Sequence, residues 1–219
     1  MPNLIIFDCD GTLVDSETLY NTITAELLNE LGFDEYTPEL CIELFAGQAW
    51  STIKATLEER HGANIPQDIV QRYIKTANAR MDTDLNTPEG ADHILRTLKQ
   101  DRSICVASNG ERNNVLKSLQ VTGLMDHFIE EHVFTKIQVE RPKPAPDLFL
   151  FTAEQMGFSP AQCLVIEDSP AGVAAAAAAN MPVIGFTGCA HDPARQADLL
   201  RDAGADHVTD QLIHILNHG

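Results

Sequence analysis

Short apolar runs that stop abruptly at polar residues recur along the chain. Leu4-Ile5-Ile6-Phe7 ends in Asp8-Cys9-Asp10-Gly11, and the run from Ser103 to Ala107 ends in Ser108-Asn109-Gly110. Cys163 to Ile166 is followed by Glu167-Asp168-Ser169, and Pro182 to Phe186 by Thr187-Gly188. Unbroken runs of this length suit strands buried on both faces of a parallel sheet, and the polar residue marks where each strand meets a loop. Between them, helical periodicity predicts helices over 90–100, 112–119, 146–156 and 171–179. Strand and helix in alternation predict an α/β fold, a Rossmann-like parallel sheet with helices on both faces.

One segment breaks the alternation. Residues 15–85 contain amphipathic helix patterns at Thr18–Leu31, Glu39–Arg60 and Gln67–Met81, with turn chemistry at Gly32, Gly47 and Gly62 to Pro66, and no convincing strand. The expected organisation is an α/β core from residues 1–14 and 86–219, with a small all-helical cap, 15–85, inserted after the first strand. Ligands of such sheets bind just beyond the strand ends, so an insertion there is well placed to be a lid.

Charge narrows the partners. Fifteen Lys and Arg stand against 32 Asp and Glu among 219 residues, a formal charge of −17. Nucleic acid and anionic membrane surfaces are poor partners for such a chain, because basic side chains supply affinity for both. A small anion remains possible through a metal ion or a few focused donors. No obligate protein partner is expected. The five cysteines, 9, 41, 105, 163 and 189, are odd in number and scattered, which reads as free thiols in a reducing, cytoplasmic compartment. The N-terminal apolar run is too short for a signal peptide, so the mature protein is expected to start at Met1. The longest apolar stretch, Pro170–Phe186, divides into a helix and a strand at Pro182 rather than forming a membrane span.

The residues just after the apolar runs should meet in one crevice: Asp8, Asp10, Thr12, Ser108, Asn109, Glu167 and Asp168. Four carboxylates in one cleft repel each other unless a cation intervenes, and oxygen-only ligands of this hardness suit Mg²⁺. Asp8 and Asp10, two residues apart in extended backbone, face the same side, and Gly11 lets the chain turn afterwards. The competing reading, that an acid or hydroxyl here merely caps a helix, fits Ser169 best. No dinucleotide loop, P-loop lysine motif or zinc spacing occurs.

Asp8-x-Asp10-Gly11-Thr12-Leu13-x-Asp15-Ser16, Ser108-Asn109, Lys143-Pro144-x-Pro146-Asp147 and Glu167-Asp168-Ser169-x-x-Gly172 follow in order. This set resembles the haloacid dehalogenase-like hydrolase superfamily, in its helical-cap branch of phosphatases and β-phosphoglucomutase-like enzymes. The resemblance implies that Asp8 is the nucleophile, forming an aspartyl phosphate, and Asp10 the general acid and then base. It implies Mg²⁺ on Asp8, the Asp10 main-chain carbonyl and Asp168, with Thr12 helping to position the site and Glu167 either a ligand or a partner behind the ligands. Ser108, the Asn109 N–H and Lys143 would hold the phosphoryl oxygens, and the Lys143–Pro144 peptide would be cis.

The second acid, Asp10, sets the chain apart from dehalogenases, whose leaving group needs no proton. In β-phosphoglucomutases the cap loop after a glycine carries an Arg for the sugar's phosphate. Here the comparable stretch is Gly47-Gln48-Ala49-Trp50, without one, although Lys54, Lys75 or Arg80 could substitute. Gly47 and Trp50 are the cap's candidate substrate contacts, with packing of the cap as the other reading of Trp50. The expected activity is Mg²⁺-dependent hydrolysis of a small phosphorylated metabolite, a sugar or sugar-acid phosphate of the 6-phosphogluconate class. The alternatives are a β-phosphoglucomutase-type phosphomutase and a phosphoacceptor signalling domain of the receiver kind.

Overall fold

The computed structural model describes residues 2–45, 48 and 50–217. Six strands, β1 (Leu4–Phe7), β2 (Ser103–Ser108), β3 (Val133–Thr135), β4 (Cys163–Glu167), β5 (Val183–Phe186) and β6 (His207–Thr209), form one sheet in the order β3-β2-β1-β4-β5-β6. Every pairing is parallel, with Leu4 level with Ser103 on one side and Cys163 on the other. The strand order reverses at β1, and that is where the crevice of an open α/β sheet lies.

The chain splits into two compact units, Met1–Asp15 with Asn86–Gly219, and Ser16–Leu85. In the first, α5 (Ala91–Leu98), α6 (Arg112–Val121), α7 (Asp147–Met156), α8 (Pro170–Ala178) and α9 (Pro193–Asp202) pack on the sheet. Leu4 and Ile6 share a buried cluster with Cys105, Val165, Leu148 and Phe149 of α7, and Val173 and Ala176 of α8. Ile5 and Phe7, at the alternate positions, are equally sealed from solvent, so the opposite face is covered as well. Where α8 begins, Ser169 Oγ accepts the Gly172 N–H at 3.0 Å and Pro170 occupies the first turn; the capping reading of Ser169 is therefore what the structure shows. Asp15 donates its N–H to Asn86 O at 2.8 Å, joining the two points between which the helical insertion leaves and returns.

The second unit is all helical: α1 (Ser16–Glu30), α2 (Pro38–Phe45), α3 (Trp50–His61) and α4 (Ile69–Asp84), with α1 packed on α2 and α4. Leu19, Ile23, Leu28, Phe45, Leu57 and Met81 are buried in it. Tyr36 is also buried, stacked on Phe45 with its hydroxyl 2.8 Å from His61 Nε2. The periodic pattern over 39–60 resolves into two helices either side of residues 46–49.

The sequence pattern does not predict strands β3 and β6 or helix α9. The two edge strands have three residues each, too few for any period to show, and α9 buries only Leu200. Among the described residues no helix is long and apolar enough to cross a membrane.

Candidate active site

The site is built at the C-terminal ends of β1, β2 and β4. Asp8 follows β1 directly, its N–H donating to Ile166 O at 2.9 Å, so the neighbouring strand fixes its main chain. The chain then doubles back, with the Leu13 and Val14 N–H groups returning to Cys9 O at 2.8 and 3.0 Å. Gly11, at φ +82°, makes this turn, and its missing side chain serves a second purpose. A Cβ there would lie 2.1 Å from Asp168 Oδ2, so the Asp168 carboxylate occupies the space that only glycine leaves open. Thr12 Oγ1 donates to the same carboxylate at 3.3 Å. A Cβ on Gly110 would lie 3.2 Å from Ser108 Oγ and 3.4 Å from Asp10 Oδ2, so both side chains border the space beside that glycine.

Lys143 stands in the centre. Its Nζ donates to Asp8 Oδ1 at 2.7 Å, Glu167 Oε1 at 2.6 Å and Ala107 O at 2.7 Å, satisfying all three ammonium protons, and it lies 4.8 Å from the centre of the Phe149 ring. The lysine is 6% exposed and Glu167 1%, which makes this a buried ion cluster. Glu167 is held in turn by Ser169, whose N–H and hydroxyl both donate to Oε2 at 2.9 Å. A Cβ on Gly172 would lie 1.8 Å from Glu167 Oε1, so this glycine too is a cradle for an acid. The Lys143–Pro144 peptide is cis.

Electrostatics follow from the packing. Burial pushes the Asp8 carboxyl up to about 8; Lys143 pulls it down, and Glu167 and Asp10 add repulsion. Burial works against the charge on Lys143, yet Asp8 and Glu167 outweigh it and hold the ammonium protonated above its ordinary range. Burial, with Asp10 and Asp8 adding, pushes the Cys9 thiol well up, so it is inert as a nucleophile.

Mg²⁺ would find only oxygen donors at this strand end. Among the described residues no three His, Cys, Asp or Glu side chains form a ready-made cage. Mg²⁺ does not need one: it keeps waters and is held by one or two carboxylates together with substrate phosphate. Hard oxygens from Asp8 and Asp168, the second seated in the Gly11 cradle, fit that requirement.

The structure thus gathers Asp8, Asp10, Thr12, Ser108, Asn109, Lys143, Glu167 and Asp168 in one place. Gly47 lies outside the described residues. Trp50 opens α3 in the helical unit, 8% exposed, with its ring 5.3 Å from that of Tyr73 and its Nε1 without a partner among the described residues. Sequence reading missed Phe149 and Gln196, whose Nε2 donates to the Asp168 carbonyl. Neither carries a sequence signal, since a ring in a helix and an amide on α9 belong to no motif.

A family model described as haloacid dehalogenase-like hydrolase matches residues 5–186. The chain is 29% identical over 189 residues to the 6-phosphogluconate phosphatase of Escherichia coli, covering 86% of this chain and 84% of that protein. It is 30% identical to that organism's fructose-1-phosphate phosphatase YqaB over 82% of this chain and 94% of the relative. A solved haloacid dehalogenase family hydrolase from Deinococcus radiodurans, with bound phosphate and sodium, superposes with a TM-score of 0.87 at 32% identity, covering 97% of this chain and 93% of that one.

Proposed function

Because the chain belongs to the haloacid dehalogenase-like hydrolases and is a phosphatase among them, we propose that it hydrolyses a small sugar or sugar-acid monophosphate with Mg²⁺ through a phosphoryl group carried on Asp8. The observation that carries this reading is the buried Lys143 ammonium 2.7 Å from Asp8 Oδ1, beside a carboxylate two residues further on. A carboxylate held against a cation at a strand end is placed to meet a phosphoryl group whose negative oxygens the same cation attracts.

Asp8 attacks phosphorus in line with the ester oxygen. As its oxygen bonds to phosphorus the bond to the leaving oxygen breaks, and Asp10 gives that oxygen a proton, releasing the sugar. Water then attacks the phosphoryl group, Asp10 takes the water's proton, the bond to Asp8 breaks, and inorganic phosphate leaves. Ser108 Oγ and the Asn109 N–H hold the phosphoryl oxygens, and Lys143 attracts them by its charge, turning toward them the proton it shares with Asp8 Oδ1 as that oxygen bonds to phosphorus. Asp8, the Asp10 carbonyl and Asp168 would hold Mg²⁺, with Thr12 steadying Asp168 and Glu167 anchoring Lys143 behind them; when bound, the ion offsets charge on the phosphoryl oxygens. Nothing in this scheme requires Cys9.

Hydrolysis is favoured over mutase chemistry because a mutase must also grip a second phosphate. Lys54 is engaged by Glu58 and by Ile65 O, and Arg80 by Glu26 and Asp84 at 2.6 Å each. Lys75, the third cation that could stand in for the absent Arg, is exposed. A panel of sugar phosphates and sugar-acid phosphates, scored for inorganic phosphate with Mg²⁺, tests the reading. Turnover on one or more members is expected. Interconversion of glucose phosphates without net phosphate would establish the mutase, and a long-lived phosphoprotein from acetyl phosphate with no turnover would establish the receiver-like module.

A further inference from the structure

We propose that the Asn109 side chain is a positioning residue for phosphoryl transfer, acting through the main chain of Lys143. The inference rests on the assignment of Lys143 to the phosphoryl oxygens and concerns the Asn109 amide, which that assignment leaves without a task. Its Nδ2 donates to Lys143 O at 2.9 Å, and its Oδ1 accepts the Lys143 N–H at 3.1 Å. One side chain therefore makes with Lys143 the pair of bonds that a neighbouring strand would make.

Lys143 needs such a partner. It lies between Pro142 and Pro144, outside every helix and strand, and is 6% exposed. Its main-chain donor and acceptor would otherwise be buried without satisfaction, at a cost of about 1–3 kcal/mol for each group. Asn and Gln alone carry a donor and an acceptor on one planar amide, the geometry that mirrors a main-chain peptide; ionised Asp offers only acceptors, and Gln is a methylene longer.

The far end of the same side chain returns to the same strand end. Lys143 Nζ donates to Ala107 O at 2.7 Å, and Ala107 stands two residues before Asn109. The C-terminal end of β2 thus grips one lysine at both ends, through an amide on its main chain and a carbonyl on its ammonium. A lysine side chain is otherwise free to sample many rotamers. Closed into this ring, the ammonium is held beside Asp8 before substrate arrives, which is the preorganisation that phosphoryl transfer rewards.

Two variants test the proposal while leaving the Asn109 main-chain N–H in place. Asn109→Ala removes both bonds. Asn109→Asp preserves size and the acceptor but sets a carboxylate oxygen against the Lys143 carbonyl. Each is expected to lower kcat/KM about a hundredfold, the scale of a misplacement near 1 Å, with the loss in kcat rather than KM. In a Lys143→Ala background the further loss from Asn109→Ala should shrink to about threefold or less, because the route through which it acts is gone. Wild-type activity in Asn109→Asp, or equal losses in both backgrounds, overturns the proposal. The Lys143 ammonium signal in a ¹H–¹⁵N spectrum supplies a readout independent of turnover: it is expected to shift and exchange faster in Asn109→Ala, and an unchanged signal also overturns the proposal. If the wild type releases no phosphate from any substrate, the assignment of function fails, while the ammonium spectrum still decides whether Asn109 positions Lys143.

Discussion

The Asp168 carboxylate lies where a side chain on Gly11 would begin, so that a Cβ at Gly11 would stand 2.1 Å from Asp168 Oδ2. Two parts of the chain remote in sequence are thereby locked together by the absence of one carbon. Gly11→Ala must displace Asp168 and also strain a backbone at φ +82°, a conformation that costs an L-residue about 1–2 kcal/mol. The expected result is a loss of Mg²⁺ affinity together with turnover, read by calorimetric titration of Mg²⁺ into the variant. Unchanged affinity would show that Asp168 takes no part in holding the ion.

Gly172 gives a second test, in which the sign is the informative part. In a helix, Gly→Ala ordinarily stabilises by about 0.5–1 kcal/mol. Here the added Cβ would lie 1.8 Å from Glu167 Oε1, which is 1% exposed and bonded to Lys143. Gly172→Ala should therefore lower the urea midpoint and the activity together. A stabilised variant with wild-type turnover would contradict the placement of Glu167.

Asp8→Asn should keep the fold, since the amide matches the carboxylate in size, but reduce turnover by roughly 10⁴-fold or more, as removal of a nucleophile does. Asp10→Asn should slow the breakdown of the phosphoryl group on Asp8, so that quenched reactions with ³²P-labelled substrate retain label on the protein. Full turnover in Asp8→Asn would refute the covalent route.

The raised Asp8 carboxyl predicts a pH dependence of stability for the metal-free protein. Its folded value, about 8, exceeds the ordinary 3.8, so it contributes stability that is fully present below the lower value and is lost as pH rises through the upper one. Lys143 stays protonated across this window and adds no slope. Urea unfolding in EDTA should become easier with rising pH in this window, and Asp8→Asn should flatten the profile. Equal slopes in the two proteins would mean that Asp8 is ionised throughout.

Chelation supplies the last test. EDTA should abolish phosphate release, and added Mg²⁺ should restore it, because the two carboxylates and one carbonyl assigned to the ion make a site that needs waters and substrate to complete it. Activity that persists after exhaustive chelation would leave Lys143 as the sole source of positive charge at the phosphoryl group.

Much of this protein is determined by its sequence alone. Runs such as Leu4–Phe7 announce buried strands because a strand covered on both faces must be apolar throughout, and the acids that end them mark the crevice. Asp8, Asp10 and Asp168 are legible for the same reason, as acids placed just after such runs, whereas Lys143 follows no apolar run and is singled out only by the Lys143-Pro144-x-Pro146-Asp147 motif that carries the family resemblance. Strands β3 and β6, three residues long, escape because no period fits within them. Only the tertiary structure decided that Glu167 faces Lys143 and Ser169, that Asp168 fills the space beside Gly11, and that the Asn109 amide grips the Lys143 main chain. These are contacts between loops at different strand ends. A sequence states which donors and acceptors are available, whereas the direction each one points depends on burial and on neighbours that folding alone brings within hydrogen-bonding distance.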